Sequence, residues 1–212
     1  MSRRKERNTK GRIISAAWKL FYEQGYEDTT VEEIIDESGT SKGSFYHYFN
    51  GKDALLSTLS VMFDEKYQEL AATMDPDMDA FDKLLLMNHE LFVMIENEID
   101  LDLLARLYST QLITKGERHL MDHNRFYYKL LKQVVSQGQK RRELTNDMTV
   151  NEIVKVYAFF ERAFLYDWCI SNGDYSLSKY TDQMLPVFIG FHPWLLSAYT
   201  GWNRAFFHSG YG

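Results

Sequence analysis

Apolar positions recur at steps of three and four along most of the chain, and no stretch alternates convincingly at period two, so the elements predicted are helices. Ile13, Ala17, Leu20 and Phe21 share one helical face, and Gly25 follows as a stop. Thr30-Val31-Glu32-Glu33 has capping-box spacing: the threonine hydroxyl meets the Glu33 amide and the Glu33 carboxylate reaches back. The short helix it opens carries Val31, Ile34 and Ile35 and ends by Gly39. Ser41 caps a third short helix whose Phe45 and Phe49, spaced i, i+4, point to a small core. Asn50-Gly51 breaks it, and Lys52 begins a longer helix with Leu55, Leu56, Leu59, Met62 and Phe63. Three helices within 1–52, the last two joined by a tight glycine-containing turn, make a helix-turn-helix layout.

Beyond Asp75-Pro76-Asp77, apolar-periodic segments run over 80–95, 101–113, 118–137, 150–171 and 177–192, with Gly116, Gly138 and Gly173 at their ends. Leu195, Tyr199, Trp202 and Phe206 again fall three and four apart and predict a tenth helix. The expected fold is all-α. A helix-turn-helix domain spans 1–52, a larger helical domain 53–192, and an aromatic extension 193–212. There are no internal repeats, and neither GxGxxG nor a P-loop occurs, so no nucleotide cofactor is expected.

Composition narrows the classes. Of 212 residues 45% are hydrophobic and 25% charged, as in a globular protein. The single cysteine, Cys169, excludes a disulfide framework and any multi-thiolate metal site built from this chain alone. Arg3, Arg4, Lys5 and Arg7 are not followed by an apolar h-region, so no signal peptide and a cytoplasmic location are expected. Gln183 to Asn203 carries no formal charge, but Pro186, Gly190, His192, Pro193 and Gly201 interrupt it; a core or subunit interface is expected rather than a membrane span.

The net charge of −6 argues against nucleic acid only when taken whole. Residues 1–52 hold nine Lys/Arg and eight Asp/Glu, leaving +1, whereas 53–212 hold 15 and 22, leaving −7. Residues 1–12 carry six basic groups against Glu6, and 38–52 carry Lys42 and Lys52 with no acid. Local cations displace counterions at phosphates, so the local sign matters more than the total.

Residues 39–56 read Gly-Thr-Ser-Lys-Gly-Ser-Phe-Tyr-His-Tyr-Phe-Asn-Gly-Lys-Asp-Ala-Leu-Leu. Ser41 puts a hydroxyl and helix-start amides where a phosphate can sit, and Lys42 projects from the first turn. Gly43 removes a side chain where that turn would press on a groove floor. Tyr46 and His47 emerge one turn later with phenol and imidazole donors, and Lys52 adds a cation at the next helix. This run resembles the helix-turn-helix signature of the TetR-like transcriptional repressors, roughly Ser-Lys-Gly-Thr-Leu-Tyr-x-Tyr-Phe-x-Ser-Lys-Glu-x-Leu. Ala16-Ala17, Leu20-Phe21, Gly25-Tyr26 and Thr29-Thr30-Val31 with Ile34 match upstream, and Gly138-Gln139 with Glu143-Leu144 match more loosely downstream. Gly51 departs from the usual Ser or Asn, and Phe45 stands where Leu is common. The resemblance implies that Thr30, Ser41, Tyr46, His47 and Lys52 hold phosphates, while Thr40, Lys42, Gly43 and Ser44 face base edges. It further implies a non-enzymatic homodimer on a palindromic DNA operator, released by a small-molecule effector.

Helix 150–171 is apolar on nearly every face, which calls for cover on every face. The resemblance implies that it forms a four-helix dimer interface together with 177–192. Glu161 lies inside the apolar run on a stripe with Tyr157, Phe164 and Trp168. Pairing, with Arg162 across the interface, and effector-facing are both open for this carboxylate. Further effector-pocket candidates are Phe92, Tyr108, Phe126, Tyr127 and Phe160. His119 and His123, with Asp122 between, would sit i, i+4 on one helix and give a metal-dependent hydrolase as the alternative, although Leu120 stands where HExxH has its glutamate and no metal site is expected. A ligand-free architectural DNA-binding dimer is a further alternative.

Overall fold

The computed structural model describes residues 2–114 and 118–189, with side chains over 8–114 and 118–187. Its elements are α1 (Ser2–Gln24), α2 (Val31–Ser38), α3 (Lys42–Tyr48), α4 (Asp53–Leu56), α5 (Leu59–Thr73), α6 (Ala80–Glu98), α7 (Leu101–Ile113), α8 (Phe126–Arg141), α9 (Val150–Ile170) and α10 (Leu177–Ile189), with a 3-10 turn at His119–Met121. The fold is all-α. The helix expected over Leu195, Tyr199, Trp202 and Phe206, the helix-ending Gly116 and the side chains of Arg3, Arg4, Lys5 and Arg7 lie outside the described residues. Among the described residues no helix is long and apolar enough to cross a membrane.

Two compact units result, 1–62 with 99–122 and 63–98 with 123 onward. Residues 53–62 and 99–122 thus group with the helix-turn-helix, unlike a division at 52. The reason is local: Leu55 and Leu56 on α4 are fully buried, and α4 packs on α7, which buries Leu103, Leu104 and Leu107.

In the first unit α1, α2 and α3 pack mutually around Ile13, Ala17, Phe21, Ile34, Phe45 and Phe49. Local glycines stop two of its helices. Gly25 ends α1 at φ +87°, and Gly39 ends α2 at φ +57°. Thr30 and Glu33 form the expected capping box, and Ser41 caps α3 through the Ser44 amide. Arg12 on α1 donates to the carbonyls of Ser38 and Gly39 (2.7 Å to the latter), tying the end of α2 to α1.

The single long helix expected from Lys52 is instead two. At Ser57 and Thr58 the hydroxyls donate back to the Ala54 and Leu55 carbonyls at 2.6 Å, and Ser60 does the same to Ser57. Backbone bonds over the same stretch close i to i−3, and Trp18 donates to Thr58 Oγ1 at 2.9 Å. Hydroxyls that compete for backbone carbonyls interrupt the α-helix here.

The second unit packs α6 against α8 and α10, with α9 on α8 and α10. Three of its helix starts borrow partners from afar, whereas α9 opens on its own Thr149–Glu152 capping box. Asp64 on α5 accepts from the Phe126 and Tyr127 amides at 3.3 Å and pairs with Arg125 at 2.9 Å. Glu96 accepts from Leu177 (2.6 Å) and Ser178 (3.0 Å) at the start of α10, and Glu143 from Ala80 (2.9 Å) at the start of α6. The segment expected as one helix over 118–137 therefore begins only at Phe126, where Asp64 meets it. Gly138 does not end that helix: α8 continues to Arg141 and closes on Arg142 at φ 62°. A Cβ at Gly138 would stand 2.5 Å from Ala80 Cβ and 2.9 Å from Leu144, so this glycine lets α8 approach the start of α6.

Candidate nucleic-acid interface and buried polar cluster

Phe45 and Phe49 anchor α3 from below, at 0% and 5% exposure, and so define which of its residues face out. Ser41, Lys42, Gly43, Tyr46 and His47 are exposed, and Thr40 and Ser44 half-buried. The Ser41 and Ser44 hydroxyls are 2.9 Å apart, and Thr40 bonds Ser38. His47 stacks edge-on against Tyr48. Lys42 pairs with Glu32 of α2 at 3.1 Å, with both side chains 67% exposed. That bond holds the Glu32 carboxyl below its ordinary value and the Lys42 ammonium above its own. Such a solvated pair is cheaply exchanged for a phosphate or base edge.

Gly43 is the telling position. A Cβ there would meet nothing closer than Ser41 Oγ at 3.9 Å, and no positive φ requires glycine. Glycine inside a helix costs about 1 kcal/mol relative to alanine, so its fold alone would favour a side chain.

Two expected phosphate ligands are engaged internally. The Lys52 ammonium donates to the carbonyls of Tyr26, Glu27 (3.3 Å) and Thr29 (2.8 Å) and lies 4.2 Å from the Tyr26 ring centroid. It therefore closes the loop between α1 and α2, and a phosphate would have to displace these bonds. Thr30 donates to Glu33 at 2.8 Å within its capping box while remaining exposed. Arg12, whose bonds orient α2 under α3, carries no motif and was not singled out by sequence.

Residues 13–59 match the family described as bacterial regulatory proteins, tetR family. That stretch runs from α1 to the start of α5 and holds the whole helix-turn-helix. An uncharacterised HTH-type transcriptional regulator of Lactococcus lactis subsp. lactis is 48% identical over 46 residues, which are 22% of this chain and 24% of that relative. The HTH-type transcriptional regulator HbdR of Aromatoleum sp. (strain CIB) is 28% identical over 187 residues, 84% of this chain and 77% of HbdR. Thermus thermophilus FadR, a TetR-family transcriptional repressor solved in complex with lauroyl-CoA, shares the fold at TM-score 0.68. It is 21% identical, over 84% of this chain and 92% of its own. The chain thus spans only about a quarter of the Lactococcus relative it matches.

In the second unit Glu161 is 5% exposed and partnered within the chain. Tyr127 donates to its Oε2, and Tyr67 and Asn88 to its Oε1, each at 3.4 Å. Within the chain Arg162 donates to the Tyr128 hydroxyl at 3.3 Å. Burial drives the Glu161 carboxyl above its ordinary value, although the bonds from Tyr127, Asn88 and Tyr157 pull the other way. Burial, then the nearby Glu161, raises the Tyr67, Tyr127 and Tyr157 phenols. Among the described residues Asn88 Oδ1 is the buried side-chain polar atom with no hydrogen-bond partner.

Of the expected pocket residues, Tyr127, Tyr157 and Glu161 come together here. Phe92 is fully buried on α6, and Phe164 meets Tyr180 edge-on. Phe160 is half-buried, and Phe126 lines a groove on another face of α8. Tyr108 belongs to the other unit. Tyr67 and Asn88 were missed, being 94 and 73 residues from Glu161 with no spacing to reveal them. The geometry also removes the basis for the metal reading: His119 lies in the 3-10 turn and His123 in the turn before α8, not on one helix.

Proposed function

We propose that the chain is a dimeric, sequence-specific DNA-binding transcriptional regulator of the repressor type, with α3 as its recognition helix and a small molecule as its effector. The observation that carries the DNA reading is Gly43, a first-turn glycine with open space around it and no positive φ, set among outward Lys42, Tyr46 and His47. Thr40, Ser41 and Ser44 complete this face. Lys42 then contributes at the base edges or at phosphates after leaving Glu32.

Dimerisation is supported by the outward side of α9 and α10. Phe159, Tyr166 and Ile170 are 58%, 52% and 66% exposed, and Tyr180 and Val187 flank them. Exposed apolar residues on two neighbouring helices suit a partner subunit of the same kind. Two recognition helices about 34–36 Å apart would then address successive major grooves of a palindromic operator. The Glu161 cluster supports the effector reading, because an unpartnered Asn88 acceptor and a protonation-prone carboxyl offer hydrogen bonds rather than a fixed charge. Since Thermus thermophilus FadR holds lauroyl-CoA, acyl thioesters are the first effector class to try.

The experiment is selection from a random-sequence duplex library, followed by salt titration of the enriched site with wild type and a Lys42→Ala/Tyr46→Ala double variant. A palindrome should emerge, with affinity falling steeply with salt and the variant at least about tenfold weaker. Failure to enrich any sequence, or equal binding by the folded variant, would overturn the reading.

A further inference from the structure

Lys83, in the first turn of α6, is the one lysine or arginine among the described residues that is buried, at 6% exposure. Its ammonium donates to the Pro76 carbonyl at 2.6 Å and forms no ion pair among the described residues. None of the nearby aspartates pairs with it among the described residues. Asp75 accepts from the Asp77 amide, Asp79 accepts from the Phe81 amide, and Asp82 is exposed. A buried ammonium with one carbonyl acceptor is poorly compensated.

Lys83 lines a groove of about 570 Å³ between the end of α5 and α8, within the size range of small-molecule sites. Met74, Phe126 and Leu130 form an apolar wall, and Lys140 and Arg141 stand at the same groove. Arg141 is neutralised by Glu143 at 2.8 Å, which leaves Lys83 and Lys140 as the cations without a carboxylate. Phe126 and its neighbour Tyr127 point apart, so this groove is distinct from the Glu161 cluster.

We propose that the groove binds an anionic amphiphile. Its carboxylate or phosphate head would sit on Lys83, with Lys140 beside it and an apolar tail along Met74, Phe126 and Leu130. The proposal stands on these residues and is independent of the DNA reading.

Calorimetric titration of the full chain, below micellar concentrations, tests it with decanoate, decyl phosphate, decanol, decyltrimethylammonium and acetate. Decanoate or decyl phosphate should bind saturably, whichever is tighter identifying the head group, with decanol at least about tenfold weaker. Decyltrimethylammonium and acetate should not bind, which separates the amphiphile from a cationic ligand and from a bare anion. Lys83→Met should weaken the anionic amphiphile at least about tenfold and leave decanol unchanged. Gln133→Trp, which fills the rim from an exposed position, should weaken both anion and alcohol without moving the thermal midpoint. Equal affinity for decanoate and decanol, or full anion affinity in both variants, would overturn the proposal.

Discussion

The amides at the start of α2 and α3 are met by Thr30 and Ser41, their own neighbours in sequence, whereas those of α8 and α10 are met by Asp64 and Glu96 from 62 to 82 residues upstream. A local cap can form as soon as its helix does. A borrowed cap exists only after α5 meets α8, or α6 meets α10, so it couples helix formation to tertiary packing. Asp64 concentrates this coupling: it satisfies two amides and pairs with Arg125, with side-chain exposures of 17% and 11%. The starts of α2 and α3 are thus set locally, as is that of α9 by Thr149, whereas those of α8 and α10 are set by another helix.

Mutating one cap of each kind tests this difference most directly. Asp64→Ala removes a nearly buried carboxylate that pairs with Arg125 and meets two helix-start amides, and should cost about 3 kcal/mol. Thr30→Ala removes one local cap and should cost about 1 kcal/mol. Urea denaturation of both variants reads the ratio. Equal costs would mean that solvent satisfies the start of α8 and that the distinction has no energetic content.

The same distinction sets what could be read from sequence. Thr30, Glu33, Gly39 and Ser41 act on residues a few positions away, so their spacing announced the caps, and Phe45 and Phe49 announced which side of α3 faces out. The start of α8 was misplaced because its determinant, Asp64, lies on another helix, and periodicity continues through His119 and His123 regardless. The division of α4 from α5 depends on how Ser57, Thr58 and Ser60 turn their hydroxyls, and Trp18 fixes one of them from α1. Within the buried cluster, Tyr157 and Glu161 share a helical face and were legible. Tyr67 and Asn88 were not, because only the packed fold brings them there.

Glycines sharpen the comparison at a smaller scale. Gly138→Ala inserts a methyl 2.5 Å from Ala80 Cβ, and overpacking of about 1–3 kcal/mol should exceed the roughly 1 kcal/mol gained in helix propensity. Gly43→Ala meets open space, so it should stabilise by up to about 1 kcal/mol. Its penalty should appear instead as weaker binding to the selected operator. Thermal melts and DNA titrations of the two variants should therefore move in opposite senses. A Gly43→Ala protein that is more stable and binds DNA fully would show that the glycine serves no contact.

The smallest effect expected is a slope against pH, and here two glutamates of the same unit oppose each other. Burial raises the Glu161 carboxyl above its ordinary 4.5, so the native state keeps a proton that the unfolded chain has released. Its contribution is complete below about pH 4.5 and declines as pH rises towards the native value, by at most about 1.4 kcal/mol per pH unit. Glu96 runs the other way. Burial opposes its ionisation, but the bonds from Ser178 and Leu177 prevail and lower it, so its contribution is present above 4.5 and fades as acid is added through its native value. Glu161→Gln should therefore flatten the decline above pH 4.5, and Glu96→Gln the loss below it, in urea midpoints taken across both windows. A Glu161→Gln protein that kept the wild-type slope would mean that Glu161 ionises like a solvated acid. The effector site proposed at Glu161 would then present a carboxylate and favour cations over hydrogen-bonding ligands.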